Sequence, residues 1–371
     1  MTRLVIDARL AGYSGIGTYL HQMLPRVLPH LARWRPVVLA SPDNHDELAA
    51  SLGGDAEVDV WNVPPLSVAD LWSVPGAVGS LDLLWTPHFN VPLRSSCALA
   101  VTLHDLLPLT LPKLAGVGRS LPVRAWLRAM RKRARVVFCV SHYTRDEARR
   151  LGALRPDRIQ VTPLGVNPEW FASAPDEKPP ARDPASAPTM IYVGLLKPHK
   201  NVLRLLRAFA RVQDEIPHRL VLVARHHGVR SIDSAALALA ARLQPRVQLV
   251  EDLPLPELIA CVRSAQFAVQ PSLHEGFGLP ALEAMAAGTP VLASRAGAMP
   301  EVCGDAALYC DPESEDDIVR ALLVLVGDSA LRARLAAAGR ARARTFSWDA
   351  CAATTASALS VTLGALHDSR S

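Results

Sequence analysis

Twice along this chain, short β-rich apolar runs alternate with spacers long enough for a helix, and that alternation admits few folds. The first series reads "LVID", "VVLAS", "DLLWTP", "ALAVTLHD", "VVFCVS" and "IQVTPLG", and the second reads "TMIYVGLL", "RLVLVAR", "VQLVEDL", "FAVQPS", "PVLAS" and "AALYCD". Strands joined through helices form right-handed βαβ units, so each series predicts a parallel sheet covered on both faces. Between them, "SAPDEKPPARDPASAP" is rich in Pro, Ala and charge and has no apolar periodicity, which is the composition of a linker. The reading is α/β throughout. A doubly wound domain spans residues 1–172, a linker 173–188 and a second doubly wound domain 189–348. Ser347 caps a last helix over 349–371 that is expected to pack back on the first domain. A length of 371 residues supports two cores of ordinary size. Two such domains in tandem would hold a ligand between the carboxyl ends of their strands.

Composition narrows the function classes. Hydrophobic residues make up 50% and charged residues 20%, which excludes a disordered chain. The start, "MTRLVIDARLAG", breaks its apolar run at Asp7 and lacks the core of a secretory signal. No uninterrupted apolar run approaches the ~18 residues of a membrane span. The cysteines Cys97, Cys139, Cys261, Cys303, Cys310 and Cys351 form no C-x-x-C pair and no zinc-like group with histidine, so reduced thiols in the cytoplasm are expected. The net charge is only +5, but residues 119–135 carry seven basic side chains and no acidic one. With Trp126 and leucines among its arginines, this segment is expected to meet an anionic membrane surface, on the inner face, or else to be a solvated helix whose leucines face the core. Nucleic acid is excluded as a partner because no recognised binding module accompanies the charge.

The densest chemistry lies in "SLHEGFGLPALEAMAAGTP", residues 272–290. Pro280 suits the first position of a helix, since its missing N–H is unneeded there. Gly276 and Gly278 then sit just before a helix N-terminus, where backbone amides and the helix dipole favour an anion such as diphosphate. Glu275 precedes the turn and Glu283 falls in the first helical turn. Carboxylates beside a phosphate site repel it unless they face other groups, and sugar hydroxyls are good donors to charged acceptors. A nucleotide sugar carries both phosphates and hydroxyls.

With these motifs the chain resembles the family 4 retaining glycosyltransferases of GT-B fold, whose signature is two glutamates separated by seven residues, here Glu275 and Glu283. The resemblance extends over "GYSGIGTY", "LHDLLPL", "VSHYTRDEARR", "YVGLLKPHKN", "AGAMPEVCGDAALYCDP" and "FSW", nearly the whole chain. It implies two Rossmann-like domains facing across a cleft and a nucleotide diphosphate sugar as donor, with no cofactor and no metal; no D-x-D occurs in the chain. It implies that Glu283 binds the ribose hydroxyls and that Glu275, with the amides of Gly276, Phe277, Gly278 and Leu279, faces the donor hexose. Lys200 matches a lysine aimed at the diphosphate, where charge grows during transfer. His104 matches a histidine beside the reacting sugar carbon, and Gly15 and Gly17 match a glycine loop near donor and acceptor. Relatives carry an arginine after the glycine that matches Gly194; here it is Leu195, and His199, ahead of Lys197 and Arg225, is the candidate replacement. The strand end at "HDLLPL" and the turn "GLLKPHKN" look like those of bacterial enzymes that add mannose or rhamnose to polysaccharide. The expected reaction moves mannose from GDP-mannose to a glycan or lipid-linked acceptor, with UDP-glucose or UDP-N-acetylglucosamine as alternative donors. A nucleotide-sugar epimerase shares the architecture but not the glutamate pair. A non-catalytic partner subunit is hinted at only by Leu195.

Overall fold

Leu4–Asp7 (β1), Val37–Ala40 (β2), Glu57–Val60 (β3), Leu83–Thr86 (β4), Ala98–Leu103 (β5), Ala134–Cys139 (β6) and Ile159–Val161 (β7) form one parallel sheet in the order β3-β2-β1-β4-β5-β6-β7. Thr189–Val193 (β8), Arg219–Val223 (β9), Val247–Val250 (β10), Phe267–Gln270 (β11), Val291–Ser294 (β12) and Ala307–Cys310 (β13) form a second, in the order β10-β9-β8-β11-β12-β13. Both orders reverse beside the first strand of the sheet, at β1/β4 and at β8/β11, and these are the points where doubly wound folds bind ligands. The computed structural model describes residues 2–12, 14–65, 67–79, 82–112, 120–151, 155–171, 187–224, 232–251 and 253–369.

The central strands are uninterrupted apolar runs because helices cover both faces of each sheet; β1, β2 and β4 are buried at every position. β3, read as part of a spacer in the sequence, is the exception. Its "EVDV" is mostly exposed because it is an edge strand, and its acids protect that edge.

The chain divides into two units: Met1–Gly165 with Ser347–Ser371, and Val166–Phe346. The sequence reading assigns residues 166–171 to the first domain, yet they join unit 2. Arg263 donates to the carbonyls of Glu169 and Trp170, and Arg340 donates to that of Phe171. Most of the expected linker, residues 173–186, lies outside the described residues. In unit 1, Ser347 accepts from the amides of Asp349 and Ala350 and starts the helix Trp348–Asp368, which packs on the helix Ser14–Val27. The stretch Ser329–Asp368 contains a window of mean hydropathy 1.2, apolar and long enough to cross a membrane, but Trp348, Cys351, Ala352, Ala356, Leu359 and Leu363 of its last helix are buried.

The helix Ser120–Arg133 corrects one expectation. Val123, Trp126, Leu127 and Met130, at the i, i+3, i+4, i+7 spacing of one helical face, are buried in the core of unit 1, so Trp126 does not lie on a membrane-facing surface. The opposite face exposes Arg124, Arg128, Arg131 and Lys132, and Arg135 on β6 is exposed beyond its end; Arg119 lies outside the described residues.

Candidate active site

In unit 2, three loops leave the carboxyl ends of the neighbouring strands β8, β11 and β12. The first ends in the turn Pro198–Lys200, and Asn201, left-handed at φ 63°, starts the helix Val202–Val212. The buried Asn201 amide donates to the carbonyls of Pro271 (2.9 Å) and Pro312 (2.7 Å), and the amide of Leu273 donates to His199 O (2.8 Å). These bonds stitch the β8 and β11 loops together and bring Lys200 to Glu275.

Lys200 Nζ donates to both carboxylate oxygens of Glu275, at 2.7 Å and 2.9 Å. Ser272 Oγ donates to one of them, Oε1, at 2.7 Å. Burial pushes the Glu275 carboxyl up, but the Lys200 ammonium, the two hydrogen bonds and the nearby charge of His199 outweigh it and hold the group below its ordinary value. Glu275 is therefore an anion at any physiological pH. Its backbone is clamped by the third loop, where Ala298 N donates to Glu275 O at 2.9 Å. Gly297 passes so close, at φ 62°, that a Cβ there would lie 2.5 Å from Glu275 O and 2.6 Å from Glu275 N.

The helix Leu279–Ala286 begins after Gly278 and has no side-chain cap. Among the described residues, the amides of Phe277, Gly278 and Leu279 have no acceptor, so the helix presents undonated N–H groups at its positive end. Pro280 is the second helical residue, not the first, which still leaves its missing N–H among the groups that need no partner. Glu283 is the fifth residue of this helix and so one turn in, past the first turn to which its spacing assigns it. It is half-buried, no described residue donates to its carboxylate, and burial raises it to about 7. Two glutamates on one short segment thus hold opposite states, one a fixed anion and the other poised to exchange a proton near neutrality.

In unit 1, His104 follows β5. Its ring meets Tyr19 edge-on with centroids 4.9 Å apart and hydrogen-bonds the Pro87 carbonyl, which leaves Nε2 buried with no partner among the described residues. Burial first, and His88 second, lower its pKa to about 4, so the imidazole is neutral and Nε2 is a bare acceptor. Tyr19 is in turn set by Thr102 Oγ1 at 3.2 Å, which Trp85 Nε1 also approaches at 3.1 Å. Gly15 and Gly17 do not form a loop: they lie in the opening turns of the helix Ser14–Val27. Gly17 is there because a Cβ would stand 2.2 Å from the carbonyl oxygen of Ala11, so only glycine lets the helix start so close to the chain leaving β1.

Comparison with known proteins fits this architecture. A model of the family described as Glycosyltransferase Family 4 matches residues 14–170, and one described as Glycosyl transferases group 1 matches residues 174–342. O-antigen chain mannosyltransferase B of Escherichia coli is 32% identical over 281 residues, covering 73% of this chain and 72% of that protein. The chain belongs to the family 4 glycosyltransferases. Another relative, the D-inositol 3-phosphate glycosyltransferase of Corynebacterium glutamicum, is 32% identical over 210 residues, 53% of this chain and 50% of its own. Among solved structures, sucrose-phosphate synthase from Thermosynechococcus elongatus matches with a TM-score of 0.77 at 19% identity, covering 98% of this chain and all of its own. HepE from Anabaena, solved with UDP-glucose, matches at 0.76 and 17%, covering 97% of this chain and all of its own. These two share the GT-B fold with this glycosyltransferase.

Within the family 4 frame, the structure brings Lys200, Glu275 and the amides of Phe277, Gly278 and Leu279 together in unit 2, with Glu283 on the helix that follows. The Phe277 side chain is buried edge-on against Phe346, so only its backbone is available to a ligand. His199 acts on Glu275 electrostatically, whereas Arg225 lies outside the described residues. Three members of the site escape the sequence reading: Ser272, Asn201 and Gly297. Each stands inside a segment that the family resemblance already covers, but its part is visible only once three loops are folded against one another.

Proposed function

We propose that this glycosyltransferase moves a hexose from a nucleotide diphosphate sugar to a glycan or lipid-linked acceptor, with retention of anomeric configuration and without a metal or cofactor. The observation that carries the reading is the Lys200–Glu275 pair beside the undonated helix amides, with the unpaired Glu283 one turn further on. Amides and Lys200 together suit a diphosphate, since they place positive potential where the leaving group gathers charge. Glu275 suits the hydroxyls of the hexose, and Glu283 suits those of the ribose, because each carboxylate accepts strongly from O–H. Neutral His104, with its bare Nε2, suits a hydroxyl near the reacting carbon.

Mannose from GDP-mannose is the first candidate donor, supported by the relatives described as mannosyltransferases, among them the MMP alpha-(1→4)-mannosyltransferase of Mycolicibacterium hassiacum, 35% identical over 207 residues. The likeness to HepE is one of fold and does not favour a UDP-sugar. A thermal-shift screen of nucleotide sugars tests the reading, because a ligand at a hundred times its dissociation constant stabilises the protein by about 2.7 kcal/mol. A shift with GDP-mannose and GDP is expected; a shift confined to uridine nucleotides would replace the donor, and none with any nucleotide sugar would remove the reading.

A cytoplasmic enzyme working on a lipid-linked acceptor has reason to rest on the inner membrane face. The exposed basic stripe of Arg124, Arg128 and Lys132, spaced four residues apart on one helix, suits that surface by charge, without any apolar insertion.

A further inference from the structure

Ser272 is fully buried just past the end of β11, three residues before Glu275, and its hydroxyl is committed to that glutamate at 2.7 Å. A carboxylate oxygen offers two lone pairs. Oε1 of Glu275 receives two donors, Ser272 Oγ at 2.7 Å and Lys200 Nζ at 2.7 Å; among the described residues Oε2 receives only Lys200, at 2.9 Å. The two oxygens of this carboxylate are therefore different: Oε1 is saturated, whereas Oε2 keeps one lone pair unoccupied. The main chain of Glu275 is held by Ala298 and Gly297, so the remaining freedom of the residue lies in its side-chain torsions.

We propose that Ser272 is a positioning residue for glycosyl transfer. It pins Oε1 so that the open lone pair of Oε2 is the one that receives a hydroxyl of the donor hexose. The assignment rests on reading Glu275 as the sugar-facing glutamate. Its importance grows once the donor is bound. Lys200 is then shared with the diphosphate, and Ser272 becomes the tether that does not move, because it sits on the same loop as Glu275 and its hydroxyl has no other partner among the described residues. A hydroxyl that only filled space would not distinguish the two oxygens of Glu275.

The test compares Ser272→Ala with wild type in nucleotide-sugar turnover and in binding of the free nucleoside diphosphate, alone and combined with Glu275→Gln. Loss of a hydrogen bond to a charged group predicts a fall of about 10- to 100-fold in kcat/KM, with nucleoside diphosphate affinity unchanged. In the Glu275→Gln background, Ser272→Ala should add little, because its effect runs through Glu275. Since the Ser272 bond lowers the Glu275 pKa, the acid limb governed by Glu275 should move to higher pH in the variant. Ser272→Cys, which fills the site with a weak donor, guards against a folding defect and should fall in the same direction. Equal turnover in wild type and both variants would overturn the assignment, as would losses that multiply fully in the Glu275→Gln background. Wild-type protein that turns over no nucleotide sugar would instead overturn the reading of the site, and the assignment with it.

Discussion

Lys200 Nζ lies 2.7 and 2.9 Å from the two carboxylate oxygens of Glu275, so the residues assigned by sequence to diphosphate and to sugar are first of all partners of each other. Their side chains are only 17% and 11% exposed, and removing one partner of such a pair strands the other charge, at a cost of about 3–5 kcal/mol for a fully buried pair. Lys200→Met should therefore lower the melting temperature as well as reduce turnover by about 10²–10³. The double variant Lys200→Met with Glu275→Gln should regain stability but not turnover. Recovery of both would make the pair a structural clamp rather than part of the chemistry.

Truncating the two glutamates should leave different signatures. Glu283→Ala is expected to weaken both donor and free nucleoside diphosphate by about 1.5–3 kcal/mol, the size of a hydrogen bond to a charged group. Glu275→Gln frees Lys200 for the diphosphate, so it should bind nucleoside diphosphate at least as tightly as wild type while turnover drops sharply. Calorimetry separates the cases; nucleoside diphosphate binding lost equally in both would abolish the division.

A pH dependence follows from the burial that raises Glu283 to about 7. Protonated Glu283 cannot accept from both ribose hydroxyls, so nucleoside diphosphate should bind more tightly as pH rises from about 5.5 through 7 and level off about one unit above, with a proton released on binding that falls to half near pH 7. The same raised pKa means that folded protein loses a share of its stability as pH climbs from 4.5 through about 7, since the charged form is disfavoured only when folded. His104, at about 4, contributes no limb in this window. Calorimetry in buffers of differing ionisation heat measures the proton count, and Glu283→Gln should remove the part that the nucleotide phosphates do not supply.

Gly297→Ala should damage the site without touching any ligand. A Cβ 2.5 Å from Glu275 O cannot be accommodated by a flexible side chain, because the obstacle is backbone, and φ 62° adds strain of about 1–3 kcal/mol. A lower melting temperature together with reduced turnover is expected. An alanine variant with wild-type turnover would show that Glu275 tolerates displacement.

Liposome sedimentation tests the basic stripe. Binding to anionic vesicles should fall with salt, because such attraction is screened over about 10 Å at 0.1 M ionic strength, and Arg128→Glu with Lys132→Glu should abolish it. Equal recovery on neutral and anionic vesicles would assign the stripe to solvent.

Strands were legible because burial on both faces writes an apolar run into the sequence, as in "LVID" and "TMIYV". β3 was not, since an exposed edge needs no such run. Trp126 shows composition misleading where periodicity was available: the arginines around it suggested a membrane face, while its spacing from Val123 and Met130 already matched a buried helical stripe. The two glutamates could be found from spacing alone, whereas the Lys200–Glu275 bond joins residues 75 positions apart, and no local pattern encodes such a meeting. Ser272 sits three residues from Glu275, but a serine in a loop carries no mark of which acceptor it will serve.

Unit 1 is discontinuous in sequence: residues up to Gly165 are completed by the segment from Ser347, with all of unit 2 between. On the ribosome this reverses the usual order in which the N-terminal domain folds first. The helix Ser14–Val27 emerges early but must wait for Trp348–Asp368 to cover it, while unit 2, an unbroken stretch, has everything it needs beforehand. A chain cut off before Ser347 therefore carries a complete unit 2 and an N-terminal half still open along one helix, and the half synthesised first is the last to close.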